Sequence, residues 1–299
     1  MNSKRKIAIL GGDLRQYTAA TILRQRGWEI TLWGMDTAEA EQDGMRRADS
    51  PEQVTAGVNR ILLPLPATVD GVLLNAPFAP SDQRLRLQEL LRLLHRGDVI
   101  IGGRLPESFV ENAEAKGILA HDYFRWEEFQ IQNAYTTAEA AVSIAMNQLT
   151  RTLRGALVAI TGFGRIAKHL TFLLLGMGAR ITVAARKPAD LIWAASLGCK
   201  TLALGEKESV SALSSGYDVI YNTVPHWLFD REFLERMDPR TFLIDLASVP
   251  GGVDVGAAKE LGANVLWATS LPGKYAPKSA GELIADCVDR IFGEEGDRK

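Results

Sequence analysis

Ala156-Leu-Val-Ala-Ile-Thr-Gly-Phe-Gly-Arg-Ile-Ala167 is an apolar strand that runs straight into Gly162-x-Gly164-x-x-Ala167 and then into the amphipathic segment Lys168 to Gly176. The spacing is that of a dinucleotide-binding turn. Gly162 permits the tight turn, Gly164 lets backbone approach a pyrophosphate, and Ala167 allows close helix–sheet packing, while the helix N-terminus offers N–H donors and a positive dipole. Gly162, Phe163, Gly164, Arg165 and Ile166 are therefore expected against the cofactor. The context is right, because a strand precedes the turn, a helix follows it, and a second strand lies at Arg180-Ile-Thr-Val-Ala-Ala185.

That second strand also bears on which cofactor is bound. NAD enzymes usually end it with a carboxylate that hydrogen-bonds the ribose 2′-hydroxyl, whereas this one ends Ala184-Ala185-Arg186-Lys187. A small neutral residue at Ala185 followed by two cations suits a 2′-phosphate, so NADP is expected, with NAD possible. The alternative is that Arg186 and Lys187 only solvate a loop before Pro188, the first residue of the next helix.

The remaining composition is that of an ordinary globular chain. It has 299 residues, 46% hydrophobic and 23% charged, which is length for about two domains. A net charge of −2 with both signs interspersed predicts neither nucleic-acid nor anionic-membrane binding. The two cysteines, Cys199 and Cys287, sit in apolar sequence without metal-ligand spacing, which predicts no metal and a reduced, cytoplasmic setting. Met1-Asn-Ser-Lys-Arg-Lys6 resembles a signal n-region, but the apolar run behind it is only Ile7 to Leu10, which reads as a first strand. No run of about 18 apolar residues occurs, so no membrane-spanning helix is expected.

Short apolar runs at Ile7 to Leu10, Glu29 to Trp33, Arg60 to Leu63, Asp98 to Ile101 and Gly117 to Ala120 alternate with helix-period stretches, clearest at Leu85 to Leu94. This predicts a parallel α/β domain over 1–135. Its own first turn, Gly11-Gly12-Asp13-Leu14-Arg15, lacks the later glycines, and Asp13 would cap the helix and fill the anion position. Apolar spacing from Thr136 to Leu153 predicts a connecting helix, and 154–278 reads as a doubly wound dinucleotide-binding domain. Ser279-x-x-Glu282 reads as a capping box for a last helix, about Ala280 to Phe292, which packs back so that 279–299 completes the first domain; Gly293 to Lys299 is a polar tail expected to fray. The expected fold is α/β, two doubly wound parallel-sheet, Rossmann-like domains joined by a long helix.

Ligands of such sheets bind beyond the carboxyl ends of the strands. There Asn222, Thr223, Val224 and Pro225 are expected along the nicotinamide ribose, with Ala247 and Ser248 after the next strand. Asp245, Lys278 and His226 are the candidates for moving a proton, although Asp245 could instead hold loop amides and His226 could simply be packed or solvated. Arg15, Pro64, Arg104 and Lys274 are candidates to bind a carboxylate substrate. With no Gly-x-Ser-x-Gly elbow and no Cys/His pair at recognisable spacing, the cofactor is left as the reacting group.

Several runs are familiar together. Ile9-Leu-Gly-Gly-Asp-Leu-Arg-Gln16, Ile61-Leu-Leu-Pro64, Val158 to Arg165, Val183-Ala-Ala-Arg186, Asn222-Thr-Val-Pro225, Ile244-Asp-Leu-Ala-Ser-Val-Pro-Gly-Gly-Val-Asp254 and Leu271-Pro-Gly-Lys-Tyr-Ala-Pro-Lys-Ser-Ala-Gly281 resemble, in order, the A subunits of dipicolinate synthase of spore-forming bacteria. More distantly, the two-domain plan with its connecting helix is similar to D-2-hydroxyacid dehydrogenases. The first resemblance implies oxidation of dihydrodipicolinate, a lysine-pathway intermediate, to pyridine-2,6-dicarboxylate during sporulation, alongside a flavoprotein-like B subunit. It thus implies a small dicarboxylate substrate, a homo- or hetero-oligomer, and two cationic contacts. The His, acid and Arg of the hydroxyacid dehydrogenases find no residue-by-residue counterpart here. A 2-hydroxyacid dehydrogenase and a cofactor-bearing subunit inactive without its partner are the rival readings.

Overall fold

The computed structural model describes residues 5–36, 44–205 and 207–296. Residues 1–4 of the basic start and 297–299 of the expected tail lie outside the described residues. The chain divides into two compact units, residues 1–133 with 276–299 and residues 134–275.

The first unit is built on β1 (Lys6–Leu10), β2 (Glu29–Trp33), β3 (Arg46–Arg47), β4 (Arg60–Leu62), β5 (Val99–Gly102) and β6 (Leu119–Asp122). These form one parallel sheet in the order β3-β2-β1-β4-β5-β6. The second unit repeats the plan with β7 (Leu157–Thr161), β8 (Arg180–Ala185), β9 (Lys200–Ala203), β10 (Val219–Asn222), β11 (Phe242–Asp245) and β12 (Val265–Trp267), in the order β12-β11-β10-β7-β8-β9. Both orders are the doubly wound 3-2-1-4-5-6 arrangement, which opens a crevice where the winding reverses, beyond β1 and β4 and beyond β7 and β10.

Helices cover both faces of each sheet, and this explains the unbroken apolar strands. Successive residues alternate between two cores. Ile7 and Ile9 belong to one, Ala8 and Leu10 to the other. In the second unit Val158 and Ile160 face one way and Ala159 the other.

Several boundaries differ from the sequence expectations. The strand expected over Gly117 to Ala120 begins at Leu119, because Gly117, at φ +73°, and Ile118, whose N–H bonds Ala113 O, still close the preceding helix. The helix expected from Thr136 begins at Glu127 and ends at Gln148, crossing from the first unit into the second. Ser279 is not a cap. The last helix begins at Pro277, which needs no N–H partner at the first helical position, and runs to Gly296, through the first part of the expected tail. This helix lies on Leu14–Gln25 in the first unit so closely that a Cβ on Gly281 would stand 2.8 Å from Arg15 O and 2.6 Å from Thr18 Cβ. Arg26, paired to Asp286 and Asp289, and Trp28, whose indole donates to Asp289, fasten the same two helices.

Candidate functional site

Beyond β7 the chain turns at Gly162, φ +83°, into the helix Arg165–Gly176. A side chain at Gly162 is excluded, since its Cβ would stand 2.7 Å from Thr223 Oγ1 and 3.0 Å from Val224 Cγ2. At Gly164, the helix N-cap, a Cβ would meet nothing within 4 Å, so the backbone there faces open space. Gly164 provides no side-chain cap, and no acid stands in the first turn. Ala167 is fully buried against the sheet. The turn is thus bare and positive, with room for a diphosphate.

The corresponding turn of the first unit is closed by its own residues. Asp13 caps the helix Leu14–Gln25 through Arg15 N at 3.0 Å, and its carboxylate pairs with the Arg15 guanidinium at 2.7 Å. Asn75 O accepts from Gly12 N and would lie 2.8 Å from a Cβ on Gly11. Arg15, 6% exposed, spends its remaining reach on Leu65 O. Its expected role as a carboxylate binder is therefore corrected: its charge is already neutralised by Asp13.

Next to the open turn, Gly162, Phe163, Ala185, Arg186, Lys187 and His226 help to line a cavity of about 130 Å³, which continues past Arg186 and His226 into a cleft of about 580 Å³ walled by Leu204, Trp227 and Leu228. Ala185 is buried, while Arg186, Lys187 and His226 are exposed and have no hydrogen-bond or ion-pair partner among the described residues. His226 lines the same small cavity as Arg186 and Lys187, the cations that follow β8.

The largest departure from expectation concerns Asp245 and Asn222, both fully buried. Asp245 Oδ1 accepts from Asn222 Nδ2 at 2.8 Å and Ala247 N at 3.0 Å, and Oδ2 accepts from Gly252 N at 2.8 Å. Asn222 completes the set: its Oδ1 accepts from Thr161 Oγ1 at 2.6 Å and Val224 N at 3.1 Å, and its Nδ2 also donates to Val224 O. Asn222 has no donor or acceptor position left, and Asp245, fully buried, has three of its four acceptor positions filled by N–H groups of the fold. Asp245 as base and Asn222 as a direct cofactor contact are therefore corrected; together they tie the ends of β7, β10 and β11 and hold the loops that carry Val224, Pro225, Ala247 and Ser248. Of these, Pro225 and Ser248 are exposed, Val224 is half-buried, and Ala247 is buried. Thr223 packs on the turn, its hydroxyl donating to Thr161 O at 2.7 Å. Thr161, Gly252 and Trp267, whose indole donates to Ala247 O, belong to this scaffold and carry no sequence signal of their own.

In the first unit, buried Pro64 accepts from Gly103 N, and Arg104 follows at the end of β5 with φ +56°. Asp122 accepts from the N–H groups of Arg104, Leu105 and Phe124, which holds this left-handed backbone, and the exposed Arg104 guanidinium lies 4.9 Å over the Phe124 ring. Lys274, in the second unit, and Lys278, in the first, are both exposed. Burial raises both thiols, Cys287 to about 12, so neither is a ready nucleophile. Among the described residues no cluster of three or more metal-ligating side chains occurs, and no helix is long and apolar enough to cross a membrane.

Comparison with known proteins agrees with this geometry. Residues 6–124 match the family model for the N-terminal domain of the dipicolinate synthase A-subunit, and residues 126–250 match "D-isomer specific 2-hydroxyacid dehydrogenase, NAD binding domain". The dipicolinate synthase A-subunit of Bacillus subtilis (strain 168) is 30% identical over 292 residues, 97% of this chain and 96% of the relative. The crystal structure of that Bacillus subtilis protein superposes with a TM-score of 0.83 at 26% identity, covering 100% of this chain and 99% of that one. The A-subunit from Bacillus halodurans gives 0.82 at 26%, over 97% and 98%. Salmonella D-lactate dehydrogenase, 14% identical with a TM-score of 0.63 over 96% and 97% of the two chains, shares the fold. With a nicotinamide-dinucleotide domain of dehydrogenase type following the N-terminal domain typical of these proteins, the chain belongs to the A-subunit family of dipicolinate synthases.

Proposed function

We propose that this chain is the NADP-dependent oxidoreductase subunit that converts dihydrodipicolinate to dipicolinate during sporulation, working with a B subunit. The observation that carries the cofactor choice is the Arg186–Lys187 pair, without a partner among the described residues, beside buried Ala185, where an NAD enzyme would present a carboxylate. The turn residues fit the cofactor: Gly162 and Gly164 leave room for the diphosphate, Leu204 and Leu228 offer apolar walls to the adenine, and Val224, Ala247 and Ser248 lie on loops held by the Asp245 scaffold.

Aromatising a dihydropyridine removes two hydrogens, one with its electron pair and one as a proton. The oxidised nicotinamide, when bound, accepts the electron pair as hydride. The protein's part is to orient the substrate and release the proton. Arg104, with Pro64 in the loop beside it, and Lys274 are the candidates to bind a substrate carboxylate, and Lys278 is the candidate to move the proton; each is exposed except Pro64. Formation of the aromatic ring drives the step, so a modest base suffices.

Two experiments test this reading. Replacing Arg186 by Ala should weaken NADPH binding roughly ten-fold or more while leaving NADH within about two-fold, because one charge-assisted contact to the 2′-phosphate is lost; equal loss for both cofactors would refute the NADP assignment. For the reaction, dihydrodipicolinate is generated in place from aspartate semialdehyde and pyruvate, and dipicolinate absorbance is followed with this chain and NADP+, with and without the B subunit. Acceleration over background in either arm supports the assignment, and the arm in which it occurs defines the active unit. No acceleration in both refutes it.

A further inference from the structure

The exposed imidazole of His226 stands with Arg186 and Lys187 on one small cavity. Four arginines elsewhere in the second unit are paired, Arg151 with Asp218, Arg231 with Glu260, Arg236 with Glu232, and Arg240 with Asp238, and other cations there stand on the surface; what distinguishes Arg186, Lys187 and His226 is that they line one cavity. Arg186, Lys187 and His226 are not paired with any described residue. An anion bound in this cavity would meet three basic side chains that have no partner among the described residues.

We propose that His226 is a specificity-determining residue for the cofactor, a third ligand of the ribose 2′-phosphate beside Arg186 and Lys187; the proposal rests on the NADP reading above. The charge balance calls for such a ligand. Asp190, at the third position of the helix Pro188–Ser196, lines the same cavity and offsets one of the two permanent cations. On the cleft beyond, Glu232 is paired to Arg236, and Asp230 caps the next helix through Phe233 N. A phosphate monoester carries about −1.5 to −2 at neutral pH, so Arg186 and Lys187 less Asp190 leave part of that charge uncompensated, and a further N–H donor aimed at it stabilises it. An imidazole supplies an N–H donor in its neutral form and in its charged form, so His226 can serve in either. The backbone supports the placement: His226 lies between the Asn222-to-Val224 bonds and the N–H groups of Leu228 and Phe229, which donate to Gly252 O, and Gly252 N in turn donates to Asp245.

The test uses calorimetric titration of the whole chain with 2′,5′-adenosine bisphosphate and with 5′-AMP, which differ only in the 2′-phosphate, for the wild type, His226→Ala, His226→Gln and Arg186→Ala. The expected result is that His226→Ala weakens the bisphosphate about ten-fold and leaves 5′-AMP within two-fold, with Gln, which keeps an N–H donor, recovering part of the loss. His226→Ala weakening both ligands equally, or neither, while Arg186→Ala still weakens only the bisphosphate, would overturn the role of His226 and leave the NADP reading standing. A wild type that binds 5′-AMP as tightly as the bisphosphate would overturn both.

Discussion

Asp245 shows how far a residue's role depends on what surrounds it. In sequence it is a carboxylate at a strand end, equally suited to base or brace; in the structure both oxygens are occupied by Asn222, Ala247 and Gly252. Asp245→Asn turns one acceptor oxygen into a donor and must set an N–H against another, which costs about 1–3 kcal/mol. The expected outcome is a lower melting temperature together with weaker cofactor binding; unchanged stability with only kcat lost would restore Asp245 as a base. Tyr123 gives the opposite case. Its hydroxyl is fully buried and has no hydrogen-bond partner among the described residues, and burial drives its pKa upward. Tyr123→Phe removes an unsatisfied polar group with little change in shape and should hold or raise stability by about 1 kcal/mol in denaturant unfolding. A clear loss would mean that the hydroxyl is bonded after all.

At the level of elements, the two Gly-containing turns are a controlled comparison within one chain. Both follow the first strand of the same topology, yet Asp13 closes one helix N-terminus and Gly164 leaves the other bare. Gly164→Asp would carry the first unit's solution into the second: the backbone is at φ −79°, and the new Cβ meets nothing within 4 Å. The carboxylate should stabilise the helix by up to about 1 kcal/mol through capping and the helix dipole while its charge expels the diphosphate. A raised melting temperature with dinucleotide binding abolished is the expected pairing, read by thermal unfolding and titration of the same sample; retained binding would remove the turn from the cofactor site. Elements themselves were legible in proportion to their apolar periodicity. The strand Arg46–Arg47 was invisible because it is two charged residues on a sheet edge, in register with Thr31 and Leu32 through backbone pairing that leaves no apolar alternation to read. The first turns of the helix Glu127–Gln148, Glu-Glu-Phe-Gln-Ile-Gln-Asn, carry too few apolar residues to show the period that is plain from Thr136 onward.

For the molecule as a whole, the cores set the alkaline limit of stability. The thiol of Cys287 is raised from 9.0 to about 12 by burial, and the hydroxyls of Tyr123 and Tyr221 are raised for the same reason. Above pH 9 the unfolded chain releases the Cys287 proton while the folded chain keeps it until about 12, so the unfolded state binds fewer protons and stability falls as pH rises through that window. Melting temperatures should therefore decline between pH 9 and 12, and Cys287→Ala should make the decline shallower even though it lowers the starting value. A slope unchanged by that substitution would place the alkaline sensitivity elsewhere. In the folded chain neither thiol should react with a thiol reagent near neutral pH, and both should react once denaturant is added.

Apolar alternation, the Gly162-x-Gly164 turn and the Arg186–Lys187 ending are local facts, carried by neighbours along the chain, and from them alone followed two parallel α/β domains and a dinucleotide site with a cationic ribose end. Which polar groups remain free to act is not local. Asp13 quenches Arg15 two residues away, but Asp245 is bound by Asn222, 23 positions earlier in the chain, and Asn222 by Thr161, 61 earlier. Folding spends hydrogen-bonding capacity on partners that only the tertiary structure supplies, so it alone retired Asp245 and Asn222 and set His226 beside Arg186.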